Sequence, residues 1–460
     1  MIVTGAFVIT LDPGRRIIAD GAVCTRGDRI VEVGKAADLL ARYPAEPVHR
    51  FPDHILTPGL VDTHVHLAQA LIRGCADDRA LVEWLCDRVW VLQGHFTEDD
   101  GRVSARLCIA EMLRSGTTTF LESMLAHRYG FDGIAAAVRE SGVRATLAKI
   151  VMDTPRYADA ALPMHPGMIE ERETGLGGTL EMHRRWHGAA DGRIRVWFGP
   201  RTPGAVTPDL YREIARLARE HGLGITMHLA EVRQDREFLR RAYGRLPVEF
   251  AEDVGLVGPH VVLVHMIWIG EDEMRTLART GTHVSHNPSS NSKLGSGVCP
   301  VPALLGAGVN VALGCDGGPS NNTYDLVREM KLAACLHKGV AGDPLVLPAE
   351  QVLEMATLGG ARALGLERDI GSLEAGKKAD LAVFATRRLH LTPSPNPVST
   401  LVYAAGGADV SDVMVDGRWV VRDSRLLTMD EEEVIREAQA HARALLHRAG
   451  IDVSPRWPVS

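Results

Sequence analysis

Two textures of hydrophobic and polar positions alternate along the chain. Over the first ~55 residues, MIVTGAFVITLD, GAVCTRG and RIVEVG alternate apolar with polar residues or carry β-branched ones. A Gly-Asp pair marks a turn, so this stretch predicts short strands. From Pro58 the texture changes to apolar runs separated by amphipathic stretches, the pattern of a parallel α/β sheet or barrel. Eight strands are predicted: Leu60–His66, Thr117–Glu122, Arg144–Val151, Arg193–Gly199, Gly224–His228, Val261–His265, Thr282–His286 and Asn310–Cys315. Helices are predicted between them near 98–115, 132–141, 271–280 and 350–364. Another opens at Thr207-Pro208, a cap followed by a first-turn proline, and closes at Gly222.

Eight such units over ~300 residues match the size of a (β/α)8 barrel. An open doubly wound sheet is the alternative, but no Gly-rich phosphate loop follows any of the strands. After about residue 366 the strand texture returns in ADLAVFAT and VSDVMVDGRWVVRD, the latter with a hairpin-like Asp416-Gly417. A helix is predicted over about 430–448. Neither terminal segment has enough strands to bury a core alone. The expected organisation is therefore residues 1–56 with 366–460 as one composite β-sandwich and C-terminal helix, beside a 57–365 barrel.

Composition narrows the function. With 45% hydrophobic and 24% charged residues, the chain is ordinary globular material. The longest apolar run, Val261 to Ile269, is broken by His265 and falls short of the ~20 residues of a membrane span. No signal peptide is read at the N-terminus. The net charge of −7 argues against nucleic acid as a partner. Seven scattered Cys without a C-x-x-C pair fit a reducing cytoplasm and exclude a cytidine-deaminase type of zinc site. The 19 His are the unusual feature, and their position decides which of them matter.

Barrel chemistry gathers at the C-terminal ends of strands. The first predicted strand ends His64-Val65-His66, and residues two apart on a strand share a face. The fifth ends in His228, followed by Glu231; the sixth ends in His265; Asp316 follows the eighth. Chance supplies about one H-x-H pair in such a chain, and a lone strand-end His is commonly structural. Four strands delivering metal-type ligands to the same end is a different matter. Three His and one Asp suit one divalent metal, zinc first and iron second. Such a metal brings the pKa of a bound water towards neutrality. Glu231 suits general acid work, His265 suits holding the attacking oxygen, and Asp316 can both ligate and accept a proton.

In order along the chain stand PGLVDTHVHLAQALIRG, MHLAE, VHMIWIGEDEM, SHNPSSNSKLGSGVCPVPALL, ALGCDGGPSNNTYDLVREMKLAA and GSLEAGKKADLAVF. Over essentially its whole length the sequence resembles the amidohydrolase superfamily. The likeness is to its aromatic deaminase branch, which holds methylthioadenosine/S-adenosylhomocysteine deaminases, guanine deaminases and triazine hydrolases such as atrazine chlorohydrolase. The resemblance implies a distorted (β/α)8 TIM barrel with a small composite β-sandwich domain, and one metal on His64, His66, His228 and Asp316. It implies that Glu231 shuttles a proton to a ring nitrogen and that His265 holds the hydroxide. Ammonia would leave the amino-bearing carbon. The fourth strand lacks the carboxylated Lys of binuclear members, which favours one metal; Lys149 lies on the third strand.

The same resemblance marks Trp84, Gln93, Lys149, Arg201 and His286 as substrate-binding positions. Gln93 stands where nucleoside deaminases carry a ribose-gripping Glu, and a neutral amide bonds a diol less strongly. A free aminopurine, pterin or triazine is therefore expected ahead of an adenine nucleoside. Loss of chloride or alkylamine is an alternative, as is a non-catalytic scaffold. The expected protein is a cytoplasmic homo-oligomer acting on a small heterocycle.

Overall fold

The computed structural model describes residues 1–158, 160, 164–455 and 457–458. Its centre is a parallel barrel. The strands run in order as Leu60–His66, Thr117–Leu125, Arg144–Val151, Ile194–Pro200, Ile225–Leu229, Val261–His265, His283–His286 and Val311–Leu313. Almost every residue on them is buried, because helices cover the outside and side chains fill the inside. The eighth strand is broken. Val311–Leu313 pairs with the seventh, and after Gly314-Cys315 the short strand Asp316–Gly317 pairs with Val65 and His66 of the first. The buried Asp62 carboxylate bridges the break, its Oδ1 accepting the Cys315 and His64 N–H groups at 3.1 Å each. Closure thus brings Asp316 to the tips of His64 and His66.

The helices follow their sequence signals. Pro208–His221 starts at Thr207, whose hydroxyl accepts the Leu210 N–H, and ends at Gly222 in the left-handed region. The expected 350–364 helix is two pieces, Ala349–Met355 and Leu358–Ala363. The break falls at Thr357, where a close approach to the barrel floor takes over: a Cβ on Gly360 would stand 2.7 Å from that of Val61.

Both chain ends enter one eight-stranded sheet. Its order is Arg425–Leu426, Arg418–Arg422, Val410–Val415, Leu381–Ala385, Val48–Pro58, Ile2–Ile9, Ile17–Arg26 and Arg29–Lys35. The two ends meet where Leu381–Ala385 runs antiparallel to Val48–Pro58. Val3, Val8, Leu56, Leu381, Val383 and Met414 form its separate core. Asp416 and Gly417 turn the late hairpin with φ of +47° and +72°, the geometry an Asp-Gly pair favours. The final helix, Glu431–Ala449, lies on the barrel helix Glu98–Arg114, with Arg106 paired to Glu433 and Glu437.

Sheet and barrel are joined by a buried ion cluster. Arg144, at the start of the third barrel strand, reaches Asp416 at 2.7 Å and Asp380 at 3.2 Å. Replacing Arg144 with Met leaves two buried carboxylates short of their main partner. We expect a loss of about 3 kcal/mol, read as a lower urea midpoint; an unchanged midpoint would show that the cluster contributes nothing. No helix of the described residues is long and apolar enough to cross a membrane.

Candidate active site

The strand ends converge on one point. His64 and His66 face the barrel mouth together and stand 3.5 and 3.4 Å from Asp316 Oδ1. His228 Nε2 lies 3.3 Å from His66 Nε2, and the two rings stack. His265 Nε2 lies 3.6 Å from the Glu231 carboxylate and 4.0 Å from Asp316 Oδ2. His64, His228 and His265 form one group whose ligand atoms lie within 4.8 Å of one another; His64, His66 and Asp316 form a second.

Burial dominates the electrostatics. It pushes the His66 imidazole down to about 3 and His265 to about 4, and holds His228 well below the usual range. The Asp316 carboxyl stays well below its ordinary value despite burial, because of the surrounding imidazoles, His64 first. Glu231 goes the other way: burial, then the Asp316 and Asp235 charges, raise it well above the usual range. The two carboxyls are thus pushed in opposite directions, the contrast acid–base catalysis needs.

The donor set fits a divalent metal. Among the described residues neither ring nitrogen of His64 makes a hydrogen bond, nor does His228 Nδ1. Unmet nitrogens buried around a carboxylate are costly unless a cation takes their lone pairs. His265 is held differently. Its Nδ1 donates to Asn291 Oδ1 at 2.8 Å, which leaves the Nε2 lone pair facing the mouth.

The backbone is strained at the same place. Ala230, His265, Met266 and Asp316 have φ of +53°, +72°, +46° and +68°, a conformation that non-glycine residues adopt at a cost and that clusters at functional sites. Gly314 is needed for another reason: a Cβ there would stand 2.4 Å from Asn287 Oδ1 and 2.8 Å from the His64 Cβ. We expect Gly314→Ala to cost about 1–3 kcal/mol and to lower metal retention. Wild-type thermal stability and metal content together would refute this.

A cleft lies over these groups. Trp84, Gln93 and Arg201 line it with His66, His228, Glu231, His265 and Asp316. Arg201 is buried with its guanidinium over the Trp90 ring, 5.1 Å from the centroid. The structure does not bring Lys149 or His286 to this wall. On the third strand Ala148 packs into the barrel core, so Lys149 points outward beneath the helix Arg172–Trp186. There it pairs with Glu170 and faces a separate surface hollow. Lys149 is thus remote from the His cluster, where a second metal would need it. His286 lies behind the site, its Nε2 3.2 Å from that of His337.

Several neighbours carried no recognised signal in the sequence. Glu122 ends the second predicted strand, and its carboxyl sits 4.0 Å from His66 Nδ1, raised by burial to about 8. Gln69, Trp90, Tyr129 and Tyr157 also line the cleft. Of these, Gln69 and Trp90 lie close in sequence to the assigned His66 and Gln93, the nearest thing to a signal.

A closed parallel barrel with imidazoles and carboxylates converging at its strand ends defines a class, the hydrolases built to take a metal at the barrel mouth. The profile of the amidohydrolase family matches residues 55–420, and the chain belongs to this family. It is 41% identical over 426 residues to a 5-methylthioadenosine/S-adenosylhomocysteine deaminase of Desulforudis audaxviator, covering 93% of this chain and 95% of that one. It is 38% identical to a 5'-deoxyadenosine deaminase of Methanosarcina mazei, covering 97% and 99%. Among solved structures, an adenosine deaminase from Xanthomonas campestris with bound zinc superposes with a TM-score of 0.89 at 33% identity, covering 97% and 98%. An atrazine chlorohydrolase from Arthrobacter aurescens complexed with zinc gives 0.88 at 25% identity, covering 96% and 99%.

Proposed function

We propose that this enzyme is a hydrolytic deaminase of an aromatic nitrogen heterocycle and that it releases ammonia from an amino-bearing ring carbon. One observation carries the reading: Glu231, raised by burial, stands beside His265 and Asp316 at the foot of an aromatic-walled cleft. His64, His66, His228 and Asp316 would hold the metal, zinc before iron. A bound divalent metal supplies a water that is nucleophilic at neutral pH.

The chain's own groups do the rest. Trp84, Trp90 and Tyr129 give flat walls suited to a planar ring. Glu231 carries the proton that the ring nitrogen next to the attacked carbon must receive. His265, fixed by Asn291, accepts a hydrogen bond from the attacking water and orients it. Asp316 takes up the proton that the water loses and passes it to the departing amine, and the remaining hydroxyl proton returns to Glu231 as the ring carbonyl forms. Gln93 and Arg201 offer donors to the polar edge of the substrate.

The barrel, 57–365, would be the catalytic unit, and 1–56 with 366–460 the accessory domain. All seven cysteines are unpaired, which supports a cytoplasmic setting. A homo-oligomer remains our expectation.

The relatives named as nucleoside deaminases favour a second reading, in which the heterocycle is the adenine of a 5'-modified nucleoside. Ammonia release over free aminopurines, their nucleosides, pterins and triazines separates the two. We expect turnover with at least one free heterocycle; a response confined to adenine nucleosides would overturn the reading of Gln93 as disfavouring a sugar. Release of chloride from a chlorotriazine without ammonia from any amine would instead point to a triazine-type hydrolase.

A further inference from the structure

Glu231 has to meet a substrate nitrogen at a defined point, yet no hydrogen bond reaches its carboxyl among the described residues. Its place is set through the main chain. Asp235, buried in the first turn of the helix Arg233–Tyr243, accepts the Glu231 N–H at 2.9 Å and the Val232 N–H at 3.4 Å through Oδ2. Its other oxygen accepts the Tyr157 hydroxyl at 2.7 Å. From the opposite side, the Ala230 carbonyl accepts the N–H groups of Ile267 and Trp268 at 2.9 and 3.1 Å. Ala230 is itself held at φ +53°, so a turn that would relax if released is clamped on both sides.

We propose that Asp235 and Tyr157 are positioning residues that fix the Glu231 carboxyl in the cleft; this rests on the deaminase reading above. A plain helix cap would account for the Val232 bond. It leaves unexplained the hold on the N–H of Glu231 itself and the tyrosine hydroxyl committed to the same carboxylate. Tyr157 also lines the cleft, its ring edge-on to Trp90 at 6.4 Å. The wall that meets the substrate ring and the support of the proton donor are therefore one residue. A misplacement of about 1 Å in such a donor is worth about a hundredfold in rate.

The test uses the full-length, zinc-loaded enzyme. Asp235→Ala is expected to lower kcat about a hundredfold, with KM within about threefold and zinc content unchanged. Asp235→Asn, which keeps an acceptor for the Glu231 N–H, should recover most of that loss, and Tyr157→Phe should cost about tenfold. In a Glu231→Gln background, Asp235→Ala should cost no more than about twofold further, because it acts through the group already removed. Full multiplication of the two losses would overturn the proposal, as would loss of zinc.

Hydrogen exchange over residues 228–235 tests the clamp whatever the substrate. Asp235→Ala should speed it at least tenfold, and unchanged exchange would overturn the proposal. A failure of the deaminase reading shows separately, as a wild-type enzyme that releases no ammonia.

Discussion

Glu231→Gln is expected to lower ammonia release by about a thousandfold while zinc content stays at the wild-type value. The substitution keeps the side chain's size and removes only the proton it can give. Among the described residues the Glu231 carboxyl makes no hydrogen bond to another side chain, so the amide breaks no network. The ligand set of His64, His66, His228 and Asp316 is untouched. Direction also matters. Burial and two neighbouring carboxylates hold Glu231 well above the ordinary carboxyl range, the direction a proton donor needs. Most of the activity surviving in Glu231→Gln would rule out the proton-donor role. Loss of zinc along with activity would mean that Glu231 supports the ligands instead.

The second large effect is metal removal. Dialysis against a chelator should bring ammonia release below detection, and stoichiometric zinc should restore it. The thermal midpoint should fall as well, because a ligand bound only by the folded state stabilises it. The fall has a local cause. The His64, His66 and His228 nitrogens crowd around the Asp316 carboxylate, and the cation would take up their lone pairs. Asp316 is left a buried carboxylate with no metal to offset its charge. Undiminished activity in metal-free protein would defeat the assignment of the four ligands.

Much of this was legible because fully buried parallel strands announce themselves. Leu60–His66, Arg144–Val151 and Val261–His265 have the bounds expected, and every residue on them is buried. The same burial hides direction. A strand covered on both faces has no apolar–polar alternation to show which side chains enter the barrel. Lys149 could therefore be placed at a strand end but not on a face, and it points out to Glu170. His286 could not be matched to His337, which arrives from the helix Leu326–Ala341 some 50 residues on. The segment from Asn310 to Cys315 reads as one strand. The break after Leu313 exists because Asp62, more than 200 residues earlier, takes the Cys315 N–H. Tyr129 and Tyr157 lie beyond strand ends, on connections whose course no local pattern encodes.

The sheet shared by both ends has a consequence for synthesis. The strand Val48–Pro58 leaves the ribosome early, but its partner Leu381–Ala385 is made more than 300 residues later. At ordinary elongation rates of about 5–20 residues per second, that interval is about 15–60 s. During it the nascent chain carries an open strand edge, the kind of surface that recruits the wrong neighbour. The barrel can assemble inside that interval, since its eight strands follow one another. The sheet cannot. The last step of biogenesis is thus the late return of the chain to its own beginning, and escort by a chaperone would matter most until that edge is covered.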